Sequence, residues 1–392
     1  MRWIVAASAC ALATCATPDG PPARGPSVAT DPGHRAETAV ITTPASASAP
    51  APAVVVATGP ERWLKGSTHV HARPSGDSSE PIPDVIRWYE SRGYDFIFLT
   101  DHNRVSELDR DAGTEGSPFL RAPDDGLIVF AGVELTHNPS GCTPQRHPSD
   151  KCRIHVNVLG PTSRPPGKLA WTPRSTRDRR EKYLAALAQQ QQLGGIAQLN
   201  HPSWFWGITD ELLAELAGHG MRLVEIANIQ FEDWNAGDAD HPSLEEIWDR
   251  ALMRGATVWG VASDDAHDYS GRADAKWPAG GAWIVVKARR DPAAILAALA
   301  DGRFYASTGV TLERAELEGD ALVVEVAASD AAAGAVTIEL VENGRRVARV
   351  QGPRARREVP ASGYLRAVVT RADGARAWVQ PVRRATTTPR DP

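Results

Sequence analysis

The chain has 392 residues, 42% of them hydrophobic and 23% charged, with a formal net charge of -5. That length and apolar content allow one large core and a second, small domain. A mild acidic balance without a stripe of Lys and Arg gives no electrostatic footprint for nucleic acid, and no apolar run of about 20 residues marks a membrane span.

Residues 1–15 read as an export signal, in which Met1-Arg2-Trp3-Ile4-Val5 leads through small and apolar residues to Leu12-Ala13-Thr14-Cys15. The ending looks like a bacterial lipobox with Cys15 as the acylated residue; a plain cleaved signal peptide is the alternative. Residues 16–60 are rich in Pro, Ala, Ser and Thr and carry no hydrophobic period. They cannot build a core and read as a disordered linker, which suits a lipid anchor. The expected location is the bacterial periplasm or cell envelope, with membrane contact only through that anchor.

From 61 to 309 strand and helix signals alternate. Short apolar runs at 95–100, 127–133, 154–159, 195–199, 223–227 and 257–262 have the character of buried parallel strands. Helical stretches at 83–92, 178–193, 210–217 and 243–254 lie between them, three of them ending at glycine: Gly93, Gly194 and Gly255. Alternation argues for an α/β barrel rather than a sandwich, and such barrels collect functional residues at the C-terminal ends of their strands.

Those ends carry the chain's most informative residues: His69 and His71, Asp101 and His102, Glu134, His155, His201, and Asp265 with His267. A lone His at a strand end is usually a hydrogen-bonded core residue. The joint pattern differs. His69 and His71 are two apart, so a strand points both to one face, where they can chelate one ion; Asp265 and His267 repeat the spacing. Glu134 follows the apolar run 127–131, and unpaired buried charge is costly unless a metal or partner compensates it. Imidazole and carboxylate are the ligands that borderline divalent metals prefer, so the inventory is that of a multinuclear metal site.

From about Trp63 to about Gly309 these motifs resemble, in order, the PHP (polymerase and histidinol phosphatase) metal-dependent hydrolases, in the branch of the CehA/McbA-type proteins. The resemblance implies a distorted (β/α)7 TIM-like barrel binding two or three divalent ions, Zn, Mn or Fe. By that analogy His69, His71, Glu134 and Asp265 hold the first ion, and Glu134 bridges to a second held by His155 and His201. Asp77, His102 and His267 hold a third, with Asp77 standing where some relatives have histidine. The implied chemistry is ester cleavage by a metal-bridged hydroxide, with Glu134, His102 and Asp101 as the catalytic candidates. Asp101 either orients its neighbouring ligand or passes a proton to the leaving group. No Gly-x-Ser-x-Gly elbow points to a serine hydrolase instead. A non-catalytic metal-binding surface module is the other class that the motifs allow.

The expected partner is a small-molecule ester. Arg73 and Arg104, two residues beyond His71 and His102, either face the barrel mouth and hold phosphoryl oxygens or are solvated loop arginines. Trp204-Phe205-Trp206, directly after His201, forms either an apolar substrate wall, suited to an aryl ester or carbamate, or a cap on the barrel. The arginines and the resemblance favour phosphoesters; carboxyl esters and carbamates are the alternative. His34, His137, His147, His219 and His241 read as linker, loop or helix-end residues, with His137 kept open because it follows Glu134 by three positions.

Cys142 and Cys152 bracket a polar loop between Glu134 and His155, and an oxidising compartment would join them as a disulfide. Zinc binding by the pair is disfavoured because the spacing is not CxxC and no second pair accompanies it. Beyond Gly309, alternating runs between 312 and 382 with turn signals at Glu342-Asn343-Gly344 and Ala372-Asp373-Gly374 read as a small, sandwich-like antiparallel β domain over 310–383. Residues 384–392 read as a disordered tail.

Overall fold

In a computed structural model, residues 59–108 and 116–384 are described. The export signal, Cys15, the linker up to residue 58 and residues 385–392 lie outside them. The N-terminal part supplies β1 (Arg62–Val70), α1 (Ile82–Glu90), β2 (Phe96–Leu99), β3 (Phe119–Arg121) and β4 (Ile128–Phe130). β1, β2 and β4 run parallel, and β3 closes the edge antiparallel to β4.

At Ala131 the chain changes ladder. The run expected as one strand over 127–133 is split: β4 ends at Phe130 and β5 (Gly132–His137) opens a different sheet. Gly132 makes the crossing possible, since a Cβ there would lie 2.5 Å from the Leu99 carbonyl oxygen. β6 (Ile154–Leu159), α2 (Arg179–Leu193), β7 (Ile196–Leu199), α3 (Asp210–Gly218), β8 (Met221–Asn228), α4 (Glu232–Ala236), α5 (Leu244–Met253) and β9 (Trp259–Ser263) follow. The resulting five-stranded sheet has the order β5-β6-β7-β8-β9. It is antiparallel from β5 to β7 and parallel from β7 to β9.

The expected α/β class is therefore found, while a closed barrel is not. Among the described residues the backbone pairing between the two ladders consists of isolated bridges, His102 with Glu134 and Val70 with Ala266. The regular alternation of strand and helix fails between β5 and β6, where a disulfide loop replaces the helix. Phe96, Phe98, Phe130, Leu159, Leu223 and Val261 from both ladders nevertheless share one apolar core.

The helices start where side chains satisfy the free N–H groups of a first turn. Asp178 Oδ1 accepts from Glu181 N at 2.8 Å, and Ser243 with Glu246 forms a reciprocal capping box ahead of α5. No helix among the described residues is long and apolar enough to cross a membrane.

β10 (Trp283–Ala288), α6 (Pro292–Ala300) and β11 (Phe304–Ser307) lead back to β1, with β10 antiparallel to it. β12 (Leu312–Glu318), β13 (Ala321–Val326), α7 (Ala328–Ala333), β14 (Val336–Glu342), β15 (Arg345–Gln351), β16 (Arg354–Glu358), β17 (Leu365–Arg371) and β18 (Arg376–Val382) complete the described chain. β12, β13 and β16 form a three-stranded sheet, while β14, β15, β17 and β18 extend the β1 sheet to ten strands through β11. A second apolar core, with Leu312, Val324, Ile338 and Val369, lies among these strands. The turns at Asn343-Gly344 and Asp373-Gly374 fall where the sequence places them, with Asn343 at φ 51° and Gly374 at φ 93°.

One buried ion pair ties this region to α5. Arg366 of β17 grips Asp249 in two bonds, Nε to Oδ1 at 2.7 Å and Nη2 to Oδ2 at 2.6 Å. Tyr364 Oη donates to the same Oδ1 at 2.6 Å.

Candidate metal centre

β1 delivers His69 in its last turn of pleat and His71 just beyond its end, so both rings face the same way. Their Nε2 atoms converge on Asp265 Oδ1, at 3.1 Å and 3.2 Å. Glu134, in the middle of β5, is the hub. Its Oε1 lies 2.9 Å from His155 Nδ1, 3.4 Å from His69 Nε2 and 3.6 Å from His201 Nε2. Its Oε2 lies 2.6 Å from His102 Nδ1 and 3.7 Å from His71 Nε2. Asp77 Oδ2 meets His102 Nε2 at 2.9 Å and His267 Nε2 at 3.3 Å. All the expected ligands are thus gathered. Three sets bring their donor atoms within 4.8 Å of one another: His71, Asp77, His102 and His267; His69, His71 and Glu134; Glu134, His155 and His201.

The donor set can be tested for fit to a metal ion. Nε2 of His69, His71 and His267 and Nδ1 of His201 are buried without a hydrogen-bond partner, which is costly for a polar atom. Asp77, Glu134, Asp265 and the neighbouring Glu225 are paired with histidines only, and no Lys or Arg among the described residues forms an ion pair with them. Burial opposes ionisation of Glu134, yet His155, His102 and His69 hold it well below the usual carboxylate range. Burial and the adjacent His267 push His71 down to about 3. Burial also opposes the charge of His102, but Glu134 and Asp77 lift that ring to about 10. Converging nitrogen and oxygen donors with no fixed cation among them could hold a metal ion.

A second layer sets the rings, and sequence reasoning missed most of it. Glu225 of β8 is fully buried and holds His69 Nδ1 at 2.7 Å, which turns Nε2 toward the centre. It also accepts from Ser263 Oγ, Asn228 Nδ2 and His201 N. Asn200 Nδ2 bonds Glu134 Oε1 at 3.0 Å. The available signal was an acidic residue inside the apolar run Leu223-Val224-Glu225-Ile226-Ala227, a placement that demands a buried partner. We expect Glu225→Gln to lower metal affinity about 10- to 100-fold by releasing His69, measured by competition with a chromophoric chelator. Wild-type affinity would show that Glu225 does not orient the ring.

Asp101, expected to orient the neighbouring ligand or to pass a proton, is bonded through its side chain to backbone and a serine rather than to a histidine ring. Its Oδ1 accepts from Ala72 N at 2.8 Å and its Oδ2 from Ser106 Oγ, so the carboxylate braces the chain after His71. Burial pushes its carboxyl up to about 6. Asn103, His201 and Asp265, beside or within the ligand set, have positive φ of 52°, 24° and 47°. Such backbone costs on the order of 1–3 kcal/mol for each non-glycine residue and persists where the surroundings over-determine it.

The substrate-side expectations divide. Trp204 reaches the centre, with its ring 5.5 Å from His201 and 6.0 Å from His155, and Phe231 stands 4.6 Å from His201. Trp206 instead turns away and stacks on His241 at 4.1 Å. Arg73 is exposed and gives its Nε to the Ser79 carbonyl at 3.1 Å; Arg104 is exposed as well. His137 is not a loop residue but the last residue of β5, where it pairs with Ile154. Cys142 and Cys152 are joined by a disulfide that closes the loop between β5 and β6. The sequence matches no family model and no curated protein.

Proposed function

We propose that this chain is an exported metal-dependent hydrolase of ester bonds, of the PHP type that its motifs resemble, with phosphoesters as the favoured substrates. The observation that carries this is a set of carboxylates, most of them buried, whose ionic partners among the described residues are histidines alone, several of those histidines having a ring nitrogen without a hydrogen bond. Two or three divalent ions, Zn, Mn or Fe, would supply the missing positive charge. The strand order, with two ladders bridged at His102–Glu134 and Val70–Ala266, supports a distorted PHP-type ring as the finer fold. The disulfide supports export to an oxidising compartment.

The ions would be held by His69, His71, Glu134 and Asp265, by Glu134, His155 and His201, and by His71, Asp77, His102 and His267. Bound there, they would supply Lewis-acid activation of water and stabilise charge on the attacking and leaving oxygens. The protein's own part is positional. Glu134 and Glu225 fix the rings, Asp101 fixes the chain after His71, and Trp204 with Phe231 keeps water from the His201 side. His102 and Asp77 are the members that reach solvent, so substrate enters over them.

Trp204 and Phe231 favour a second reading, an aryl carboxyl ester or carbamate hydrolase on the same centre. A panel of aryl phosphates, acetates and carbamates separates the two. We expect turnover to vanish on chelation, return with Zn or Mn, and be fastest for the phosphates. Faster acetates or carbamates would establish the second reading; no metal-dependent turnover on any of them would leave a non-catalytic metal-binding module.

A further inference from the structure

Next to the metal centre lies a cavity of about 420 Å³ that the proposed hydrolysis leaves unused. Its charged lining is entirely basic: His137, Lys168 and Arg174 contribute, and among the described residues no carboxylate lines it. Behind His137, Lys182 of α2 is completely buried, and its Nζ sits 3.2 Å from His137 Nδ1. A buried ammonium against an imidazole, with no counterion, is an expensive arrangement unless an anion completes it. The surroundings show that deficit. Burial alone depresses Lys182, while burial and then the charges of Lys182 and Arg174 depress His137.

The cavity and the metal centre share a wall. Thr136 lines the cavity, and its Oγ1 lies 2.7 Å from His102 Nδ1 and 3.1 Å from Glu134 Oε2. Asn103 locks Thr136 in place through two bonds, Nδ2 to the Thr136 carbonyl at 2.9 Å and Thr136 N to Oδ1 at 3.0 Å. Trp171 Nε1 bonds the same Oδ1 at 2.7 Å and holds the far side. The cavity and the centre are therefore neighbours across the single side chain of Thr136.

We propose that this cavity is an anion subsite in which His137, Lys168 and Arg174, with the Lys182 charge behind His137, hold a phosphate, sulfate or carboxylate group of the substrate while its scissile ester lies at the metal centre. The substrate is then an ester with a second, separate negative group. The subsite would supply a phosphate-holding role beside any that the exposed Arg73 and Arg104 play. The substrate assignment rests on the hydrolase reading, whereas anion binding itself does not.

The experiment has two arms, both on the full chain as purified. In the first, inorganic sulfate is titrated calorimetrically into wild type and the Lys168→Ala/Arg174→Ala double variant. Both residues are exposed, so folding is preserved, and neither touches a metal ligand, so a difference reports the cavity. Saturable binding weakened about tenfold or more in the variant is expected, since two charge-assisted contacts are removed. Equal affinities, or no saturable binding by wild type, would overturn the subsite. In the second arm, kcat/KM is compared for aryl phosphates with and without a carboxylate on the aryl group. Wild type is expected to prefer the carboxylated ester, and the variant to lose that preference about tenfold. No preference in wild type would overturn the substrate assignment. Sulfate binding lost in the variant with no ester turnover by either protein would uphold the anion site and sink the hydrolase reading instead.

Discussion

Glu134→Gln is expected to lower metal content and turnover together, the latter by about 100-fold or more. The substitution keeps the shape of the side chain and removes the one charge that His69, His102, His155 and His201 all approach. Glutamine also places an N–H₂ donor where one of those imidazole nitrogens must stay free for an ion. Loss at one of the three ligand sets would leave two; loss at both sets that share Glu134, leaving that of His71, Asp77, His102 and His267, is the expected outcome. Elemental analysis beside a steady-state assay reads both quantities, and a melting curve separates them from simple unfolding. Wild-type metal content and rate would remove Glu134 from the hub position.

Asp249→Ala should be the most damaging substitution outside the centre, costing about 3–5 kcal/mol in urea unfolding. It strands Arg366, whose guanidinium is buried and donates both of its short bonds to that carboxylate. Tyr364 loses its acceptor at the same time. Replacing both partners with apolar residues, as in Asp249→Leu/Arg366→Met, should recover much of the loss, because no unpaired charge then remains buried. A loss below about 1 kcal/mol for Asp249→Ala would show that water or a shifted Glu245 replaces the partner, and that the pair does not secure the C-terminal strands to α5.

The residues gathered at the candidate centre could be found in the sequence because their signal is local. Two-residue spacing in His69/His71 and Asp265/His267 fixes a shared direction once a strand is assumed, and helix starts such as Ser243–Glu246 announce themselves through hydrogen bonds closed within one turn. What the sequence concealed depends on contacts between distant segments. The change of ladder at Gly132 is set by a close approach to Leu99, and the antiparallel pairing of β5 with β6 by a hairpin-like return through the disulfide loop. Glu225 looked like one polar residue in a strand until His69, far away in the chain, was placed against it. Lys182 belongs to the run Arg179-Arg180-Glu181-Lys182, which has the composition of a solvated helix start, yet its face of α2 is turned inward to His137. Arg73 and Arg104 are both exposed, and Arg73 gives its Nε to the Ser79 carbonyl, a local bond that its adjacency to His71 did not announce.

The measurement that bears most directly on the central claim is metal analysis of the full chain expressed without added metal, joined to anomalous scattering from its crystals. Two or three ions of Zn, Mn or Fe per chain are expected, with anomalous peaks among Glu134, His155 and His201 and among His71, Asp77, His102 and His267. Protein that carries no stoichiometric metal, and gains none on incubation with Zn, Mn or Fe, would contradict the account, because its buried carboxylates and unpartnered imidazoles would then be satisfied in some other way.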